Sequence, residues 1–295
     1  MNKYKFMAYI LSLMSICNFS KSIAIDELYF HDKQKFEKAI SEFKEKKEWS
    51  INNFNCELET NGKLIVKGNG KVENIFLDSG ENVSILRALV TEITFEGDIT
   101  EIGGGAFAYC ERLQKIDIPD SVKSFGNAAF MGCCNLQEIE IKNDNVESIP
   151  NAMCFDCWNL QRIAMPSSIK SIGNGAFGCC GMLEELKFNN IDENNKFPKS
   201  LERIGDCAFS TCKFSKININ SVKYIGDGAF ANCRSLHEVI IDKDNTLDYV
   251  GNEVFAGCIN LPCLNQKQIK AKKIGNNIFG NCIQMLNFDN ITKAE

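Results

Sequence analysis

The sequence predicts an α/β repeat solenoid, a stack of short parallel strands and short helices that is capped by an N-terminal helix and a β-hairpin. Three observations predict this fold. A block of about 23 residues recurs eight times between residues 99 and 288, and such a period is typical of stacked repeats. Each block contains an alternating apolar segment, the pattern of a half-buried strand. Of the 295 residues, 44% are hydrophobic and only 5 are proline, so the chain can bury a core along its whole length.

Residues 1–24 predict a secretory signal peptide. The basic start Met1–Lys5 precedes the apolar run Phe6–Phe19, and the small residues of Ser22–Ala24 predict cleavage after Ala24. An uncleaved anchor is the alternative, but the run is shorter than the roughly 20 residues that span a bilayer. We therefore expect a protein that is secreted or lies at the extracellular surface, with no stable membrane span after signal cleavage.

Two sequons predict glycosylation sites in the mature chain. They begin at Asn82 and at Asn290, the second within a polar tail at residues 289–295. Both would be modified only in a eukaryotic host.

Residues 25–55 predict an amphipathic helical segment that packs over one end of the solenoid. Phe36, Ala39, Ile40 and Phe43 share one helical face among Lys and Glu residues. A helix that binds a partner or a membrane surface is the alternative, although its charges are mixed rather than basic.

Residues 56–98 predict a β-hairpin and N-terminal cap. The hairpin spans Leu58–Gly70 and contains Asn61-Gly62, a favoured two-residue turn. Val90, Ile93 and Phe95 then predict one further strand at the start of the stack, where a solenoid needs a polar-faced end.

Eight repeats fill residues 99–288. Each begins with an apolar residue that is usually followed by glycine, and the starts are Ile102, Phe125, Ile149, Ile172, Ile204, Ile225, Val250 and Ile274. The longest interval contains an insertion near residues 189–201, a polar stretch that includes Pro198 and predicts a surface loop.

Each position of the repeat has a predicted role. An alternating segment such as Leu113–Ile118 predicts the strand, and the glycine after each start predicts a turn that needs unusual backbone angles. Asn or Asp follows in seven repeats and predicts the start of a short helix, because its side-chain oxygen can accept from free N–H groups there. A phenylalanine, replaced once by Cys154, predicts the large filler of the core.

The pattern Ile-Gly-x-x-Ala-Phe-x-x-Cys-x-x-Leu-x-x-Ile-x-Ile resembles the BspA-like leucine-rich repeats of bacterial and protozoan surface antigens. The resemblance covers residues 99–288, and Leu58–Gly70 is similar to the hairpin that often precedes these repeats. It implies a leucine-rich-repeat stack. It also implies an exported surface antigen or adhesin that binds a protein or cell-surface partner without catalysis.

The cysteines predict buried thiols. Stacked strands lie about 4.8 Å apart, slightly too far for the Cβ atoms of a disulfide, so we expect free thiols in the internal column that repeats at Cys110, Cys133, Cys157, Cys180, Cys212, Cys233, Cys258 and Cys282. The other cysteines of the mature chain occupy different repeat positions, and the sequence leaves their disulfide state open: Cys56, Cys134, Cys154, Cys179, Cys207 and Cys263.

The sequence predicts no catalytic, cofactor-binding or metal site. Cys154 and Cys157 together with Cys179-Cys180 resemble a zinc site in their short spacings. The repeat explains them better, because Cys154 replaces a core Phe and Cys157 and Cys180 belong to the cysteine column. The two histidines, His31 and His237, lie in unrelated segments, which argues against a catalytic triad or a metallohydrolase. A net charge of -5 argues against a basic surface that binds nucleic acid.

The exposed face of the strands is the predicted partner-binding surface, because a curved solenoid presents a broad concave face. One column alternates in sign at every step, through Lys115, Glu138, Arg162, Glu185, Lys216 and Glu238. Mutual neutralisation is favoured over a binding stripe there, since alternating charges give little net field. The neighbouring column is irregular and supplies the candidate partner-binding residues Asp117, Glu140, Lys187, Asn218 and Ile240.

Three non-catalytic functions remain open from the sequence. The first is a surface antigen or adhesin that binds protein partners through the strand face. The second is a secreted effector or inhibitor of one host protein. The third is a structural coat component that assembles by end-to-end stacking, because exposed sheet ends invite pairing.

Overall fold

A computed structural model describes residues 33–76, 83–191, 196–241, 247–262 and 269–282. The predicted signal peptide, the sequons at Asn82 and Asn290, Cys263 and the polar tail lie outside the described residues.

Two helices and nineteen short strands occupy the described part of the chain. The helices are α1 (Lys33–Glu42) and α2 (Val83–Leu89). The strands are β1 (Lys47–Ile51), β2 (Phe54–Leu58), β3 (Lys63–Gly68), β4 (Gly70–Val72), β5 (Glu92–Glu96), β6 (Ile99–Ile102), β7 (Lys115–Ile116), β8 (Ser124–Phe125), β9 (Glu138–Glu140), β10 (Ser148–Ile149), β11 (Arg162–Met165), β12 (Ser171–Ile172), β13 (Glu185–Phe188), β14 (Arg203–Ile204), β15 (Lys216–Asn218), β16 (Tyr224–Ile225), β17 (Glu238–Ile240), β18 (Leu247–Val250) and β19 (Ala271–Ile274).

The N-terminal segment is only partly helical, in contrast to the prediction for residues 25–55. Helix α1 ends at Glu42, and Ile40 and Phe43 pack against the core. Strands β1 and β2 follow as an antiparallel pair. Trp49 anchors β1, because its indole N–H donates to the carbonyl of Ile75 at 2.6 Å and its ring packs on Phe76. Residues 47–51 form a strand and do not continue the helix because Trp49 and Ile51 alternate with exposed polar residues.

The predicted hairpin is present as β2 and β3, but its turn is longer than two residues. The N–H of Gly62 donates to the carbonyl of Glu59, and the N–H of Glu59 donates to the carbonyl of Lys63. Gly62 has a φ of +90°. This is a three-residue loop that ends in a left-handed glycine. The two-residue turn lies instead between β1 and β2, where Asn52 has a φ of 53°.

Each coil of the solenoid contributes two strands, where the sequence predicted one. The first strand wall consists of the alternating segments β3, β5, β7, β9, β11, β13, β15 and β17, which pair in parallel within three sheets. The second strand wall consists of β4, β6, β8, β10, β12, β14, β16, β18 and β19, which pair in parallel within two sheets. The second strands are mostly two residues long, too short to leave an alternating pattern in the sequence.

The third side of each coil is built from turns instead of the expected short helix. This turn wall comprises residues 104–110, 127–133, 151–157, 174–180, 206–212, 227–233, 252–258 and 276–282. Every coil has two left-handed residues there, for example Ala128 (φ 58°) and Gly132 (φ 71°). Backbone N–H groups point to the next coil, as when Phe107 donates to Ala129 and Phe130 donates to Met153. The backbone groups that a helix would pair internally therefore pair between coils.

The glycine after each repeat start permits close approach of two coils, and the predicted need for unusual backbone angles is wrong. None of the six from Gly126 to Gly275 has a positive φ. A Cβ on Gly226 would lie 2.5 Å from the backbone nitrogen of Asp206 in the previous coil. Each of these glycines also donates its N–H to the previous repeat start, as Gly226 does to Ile204 at 2.9 Å. Pro150, which has no N–H, occupies this position in one coil.

The repeated Asn and Asp side chains join neighbouring coils. They were expected to cap a helix in their own repeat. Instead, the Oδ1 atom of Asn151 accepts from the backbone N–H of Asn174, and that of Asn174 accepts from Asp206, at 2.8 and 2.9 Å. The same bond recurs from Asn127 to Asn276. The side-chain oxygen satisfies a backbone donor as expected, but in the next coil.

Phenylalanine and cysteine fill the core in two parallel columns. Phe209 stacks on Phe230 and Phe230 on Phe255, with ring centroids 5.4 and 5.6 Å apart. The thiol of Cys233 donates to the carbonyl of Phe209 at 3.2 Å, and equivalent bonds link the column from Cys133 to Cys282. All thirteen cysteines in the described residues are free thiols, as expected for the column.

The insertion contributes to the core and is not simply a surface loop. Phe197 is 5% exposed, stacks on Phe209 and meets the ring of Phe188 edge to face. Lys196 pairs in parallel with Asn218 of β15. The segment therefore supplies a partial strand beside β15, with its apolar residue facing inward.

Candidate functional site

The first strand wall holds the sequence-predicted surface in rigid register. Strand β11 pairs with β9 and β13, so that Arg162 lies beside Glu138 and Glu185. Strand β15 pairs with β17 and places Lys216 beside Glu238. The residue that follows each of them along its strand points inward and is buried, as Ile139, Ile163 and Ile217 do. Short strands in parallel therefore fix the positions of all outward side chains.

Two pairs of the alternating charged column neutralise each other, whereas its Glu185 pairs with Lys187 of the irregular column at 3.3 Å. Glu138 and Arg162 are 2.6 Å apart, and Lys216 and Glu238 are 3.3 Å apart. The hydrogen bond that the Arg162 guanidinium donates to Glu138 raises the pKa of Arg162. These pairs are exposed, so each contributes little to stability. Their effect is to remove net charge from the centre of the wall.

The second outward column carries the predicted partner-binding residues, which the structure places in two groups and one separate residue. Glu140, Ala164 and Lys187 are neighbours across β9, β11 and β13. Asn218 and Ile240 are neighbours across β15 and β17. Asp117 follows the end of β7 and lies 3.8 Å from Lys142. Glu140 and Lys187 are exposed, and Ile240 is half-buried.

Asn218 is buried, which contradicts its predicted place on the exposed column. It is 7% exposed, and its carbonyl accepts from the N–H of Phe197 at 3.0 Å. Lys196, at the neighbouring position, is exposed. The insertion has therefore covered Asn218 and placed a lysine beside it.

Lys196 was missed because the insertion was interpreted as a loop. A signal for it exists in the sequence. Phe197-Pro198 followed by Ser200-Leu201 repeats the spacing of Ile118-Pro119 followed by Ser121-Val122. That alignment places Phe197 at an inward strand position and Lys196 at the outward position before it.

Burial makes the internal thiols poor nucleophiles. It raises the pKa of Cys110 to about 12 and raises the pKa values of Cys133, Cys180 and Cys212 well above the ordinary range. Only the thiolate attacks electrophiles or binds metal. No group of three His, Cys, Asp or Glu side chains that could hold a metal ion occurs in the described part of the chain. The Nδ1 atom of the His237 ring lies 3.4 Å from the backbone carbonyl oxygen of Ser235.

Neither helix among the described residues is long and apolar enough to cross a membrane. The first strand wall presents outward side chains at positions that strand pairing fixes. Its irregular column presents an acid, a lysine and an apolar residue beside a neutralised column, which suits a polar partner surface.

The chain is similar to solved structures of bacterial leucine-rich repeat proteins. The solved structure of a leucine-rich repeat protein from T. pallidum is 25% identical, has a TM-score of 0.51, and covers 75% of this chain and 94% of that chain. A leucine-rich repeat protein from Bacteroides ovatus is 24% identical with a TM-score of 0.43, covering 79% and 57%, respectively. One from Eubacterium ventriosum is 17% identical with a TM-score of 0.39, covering 78% and 84%. A search of curated proteins finds no significant match.

The family model described as BspA type Leucine rich repeat region (6 copies) matches residues 87–193 and 193–287. These ranges cover more than half of the chain and contain all eight turn-wall segments. The chain therefore belongs to the BspA-type leucine-rich repeat family.

Proposed function

We propose that this protein is an exported, non-catalytic repeat protein that binds a protein partner through its first strand wall. The observation that carries the proposal is the irregular outward column of Glu140, Lys187 and Ile240 beside a column whose charges cancel. A neutralised column adds little long-range attraction, so specificity comes from the residues that break the pattern. Asn218 plays no direct part because it is buried.

The rigidity of the wall supports a binding role. The outward side chains stand on parallel strands whose other face is a continuous apolar core. Such a surface loses little conformational freedom when a partner docks, and preorganisation of this kind favours affinity. Lys196 extends the outward column next to Asn218, so the insertion belongs to the proposed surface.

Export is part of the proposal and rests on the signal-like sequence of residues 1–24. Free thiols throughout the described part of the chain are compatible with it, because burial raises the pKa of column thiols such as Cys133 and Cys180, and only the thiolate reacts.

Proximity labelling and pull-down mass spectrometry test the proposal. The full chain, expressed with its own N-terminus, is compared with a variant that carries Glu140→Ala and Lys187→Ala. The matched control carries Glu147→Ala and Lys170→Ala, which removes the same charges from an exposed pair, 2.8 Å apart, beside the second strand wall.

The expected result is a specific partner that is lost with the first variant and kept with the control. A partner from host cells supports an adhesin or an effector, whereas a partner from the producing cell's own surface supports a structural coat role. Equal capture by all three proteins would contradict binding through the first strand wall.

A further inference from the structure

The geometry points to a second binding site, on the second strand wall, for an acidic extended segment of a partner protein. The site consists of Arg203, Tyr224, Tyr249 and Lys273, which are successive outward residues of β14, β16, β18 and β19. We name this set the tyrosine column. It lies on a different wall from the proposed first site and does not depend on it.

The four side chains form one continuous stack. The guanidinium of Arg203 lies 3.7 Å from the ring centroid of Tyr224. The rings of Tyr224 and Tyr249 are 4.6 Å apart and 14° from parallel. The ammonium of Lys273 lies 5.5 Å from the ring centroid of Tyr249. Each ring therefore has a neighbour on both faces, and the ring edges and hydroxyl groups point away from the stack.

The covered ring faces select the chemistry of the partner. A sugar would need an open aromatic face on which to stack, and neither ring offers one. What remains accessible is the ring edge, which carries partial positive charge, together with the hydroxyl group of Tyr224, since that of Tyr249 donates to Asp227. Two cations flank these groups. The ring edges, the Tyr224 hydroxyl and the cations all favour negative charge on the partner.

The cations of the tyrosine column are not neutralised within the described residues, whereas their neighbours are. Lys223 pairs with Glu202 at 2.5 Å and Lys272 pairs with Asp248 at 2.7 Å. Arg203 and Lys273 are exposed and have no carboxylate within ion-pair distance in that part of the structure.

The nearby carboxylate of Asp227 is already engaged. It accepts from the N–H and side-chain amide of Asn252 and from the hydroxyl of Tyr249, at 2.8, 3.1 and 3.3 Å. These donors reduce the repulsion that the Asp227 carboxylate exerts on an acidic partner. The charges of Arg203 and Lys273 then determine the sign of the local potential, which is positive.

The spacing of the cations defines the partner further. Arg203 and Lys273 are three strand intervals apart, about 14 Å at the usual spacing. An extended chain rises about 3.3 Å per residue and presents alternate residues to the same side. Two acidic residues four positions apart would therefore reach both cations at once.

Fluorescence anisotropy with defined probes tests this inference on the full chain. The probe is a fluorescein-labelled peptide of Ser, Gly and Thr with two glutamates four positions apart, and the control peptide carries glutamines instead. Hyaluronate, an acidic polysaccharide, is the competing class of ligand. The site variant is Arg203→Gln with Lys273→Gln, and the matched control is Lys223→Gln with Lys272→Gln.

We expect the glutamate peptide to bind the native chain, and the site variant to weaken binding by at least about tenfold, as the loss of charge-assisted hydrogen bonds predicts. The matched control should change affinity by less than about twofold. Equal weakening by both variants would show general electrostatic attraction and overturn the site. Binding of hyaluronate but not of the peptide, or no peptide binding at about 1 mM, would overturn the choice of partner.

Discussion

Two alanine substitutions in one coil test why glycine recurs after the repeat start. Gly226 and Gly228 lie two residues apart. A Cβ on Gly226 would lie 2.5 Å from the backbone nitrogen of Asp206 and 2.6 Å from the carbonyl carbon of Gly205. A Cβ on Gly228 would lie 3.4 Å from the sulfur of Cys207, an ordinary contact, but Gly228 has a φ of +58°. Close contact therefore excludes a side chain at Gly226, whereas Gly228 only relieves the cost of a left-handed backbone angle.

The expected costs differ because the causes differ. Gly226→Ala forces two coils apart, which strains the packing by about 1 to 3 kcal/mol. It also weakens the hydrogen bonds from Gly226 to Ile204 and from Asp227 to Asp206, both 2.9 Å long, each worth about 1 kcal/mol. We expect a loss of about 3 to 5 kcal/mol in the free energy of unfolding. Gly228→Ala places alanine in the left-handed region and should cost only about 1 kcal/mol.

Urea unfolding of the full chain, followed by far-ultraviolet circular dichroism, measures both costs. The slope against urea must also be compared, since a solenoid can unfold in parts and then a single free energy is not defined. A much lower unfolding midpoint for Gly226→Ala than for Gly228→Ala agrees with the account. Equal midpoints, or a larger effect of Gly228→Ala, would refute the assignment of Gly226 to close coil contact.

Four further measurements test other parts of the structure. Arg87→Met removes a buried guanidinium that donates to the carbonyls of Ala108 and Gly105, so we expect a loss of about 2 kcal/mol and faster amide exchange in the first coil. Asn151→Ala should cost about 1 to 2 kcal/mol in urea unfolding, because it leaves a backbone N–H of the next coil unpaired, while Asn151→Asp, which keeps the accepting oxygen, should cost less. Phe197→Ala should cost about 3 to 5 kcal/mol in the same assay. Finally, burial raises the pKa values of six column thiols above that of an unfolded cysteine, about 8.5: Cys110, Cys133, Cys157, Cys180, Cys212 and Cys233. Above that pH the unfolded chain holds fewer protons than the native chain, so the free energy of unfolding measured across a pH series should fall as pH rises and should be unaffected by these thiols below it.

Each of these expectations has a contradicting result. An Arg87 variant with native stability would mean that water satisfies the freed carbonyls. Equal losses for the two Asn151 variants would mean that the side-chain oxygen is not the important atom. If Phe197→Ala leaves the free energy of unfolding unchanged, the insertion is a surface loop that does not contribute to the core. Stability that is constant well above pH 9 would mean that the column thiols are not protected from ionisation.

The repeat period, the parallel strands and the buried columns could be predicted from the sequence. They depend on residue types that appear in nearly every repeat, such as the Phe and Cys that face inward. The second strand wall could not be predicted in the same way. A segment such as Ser148–Ile149 is two residues long, and its strand pairing depends on the coils before and after it.

The turn wall shows where local propensity misleads. Asn or Asp followed by Ala-Phe suggests a helix start, yet left-handed residues interrupt it in every coil. Some of these are not glycine, including Ala128, Cys207 and Glu253, with φ values of 58°, 51° and 54°. Left-handed angles at such residues cost energy locally, and bonds between coils offset that cost. Propensity rules that consider one repeat alone omit those bonds.

Part of the candidate site was also visible in the sequence. The outward positions of Glu140 and Lys187 follow directly from strand alternation. The burial of Asn218 does not, because it is caused by Phe197 and Lys196 from an insertion that precedes it in the chain. The stack of Tyr224 and Tyr249 likewise needed the register of the second strand wall.

Site-specific photocrosslinking tests the proposed binding surface most directly. A photoreactive phenylalanine analogue is placed at Lys187 on the first strand wall and, in a separate protein, at Glu253 on the turn wall, both exposed positions. The full chain is then irradiated on intact host cells and on the producing cells. The account predicts a protein crosslink from position 187 that is absent from position 253. A crosslink from position 253 but not from position 187 would contradict binding through the first strand wall.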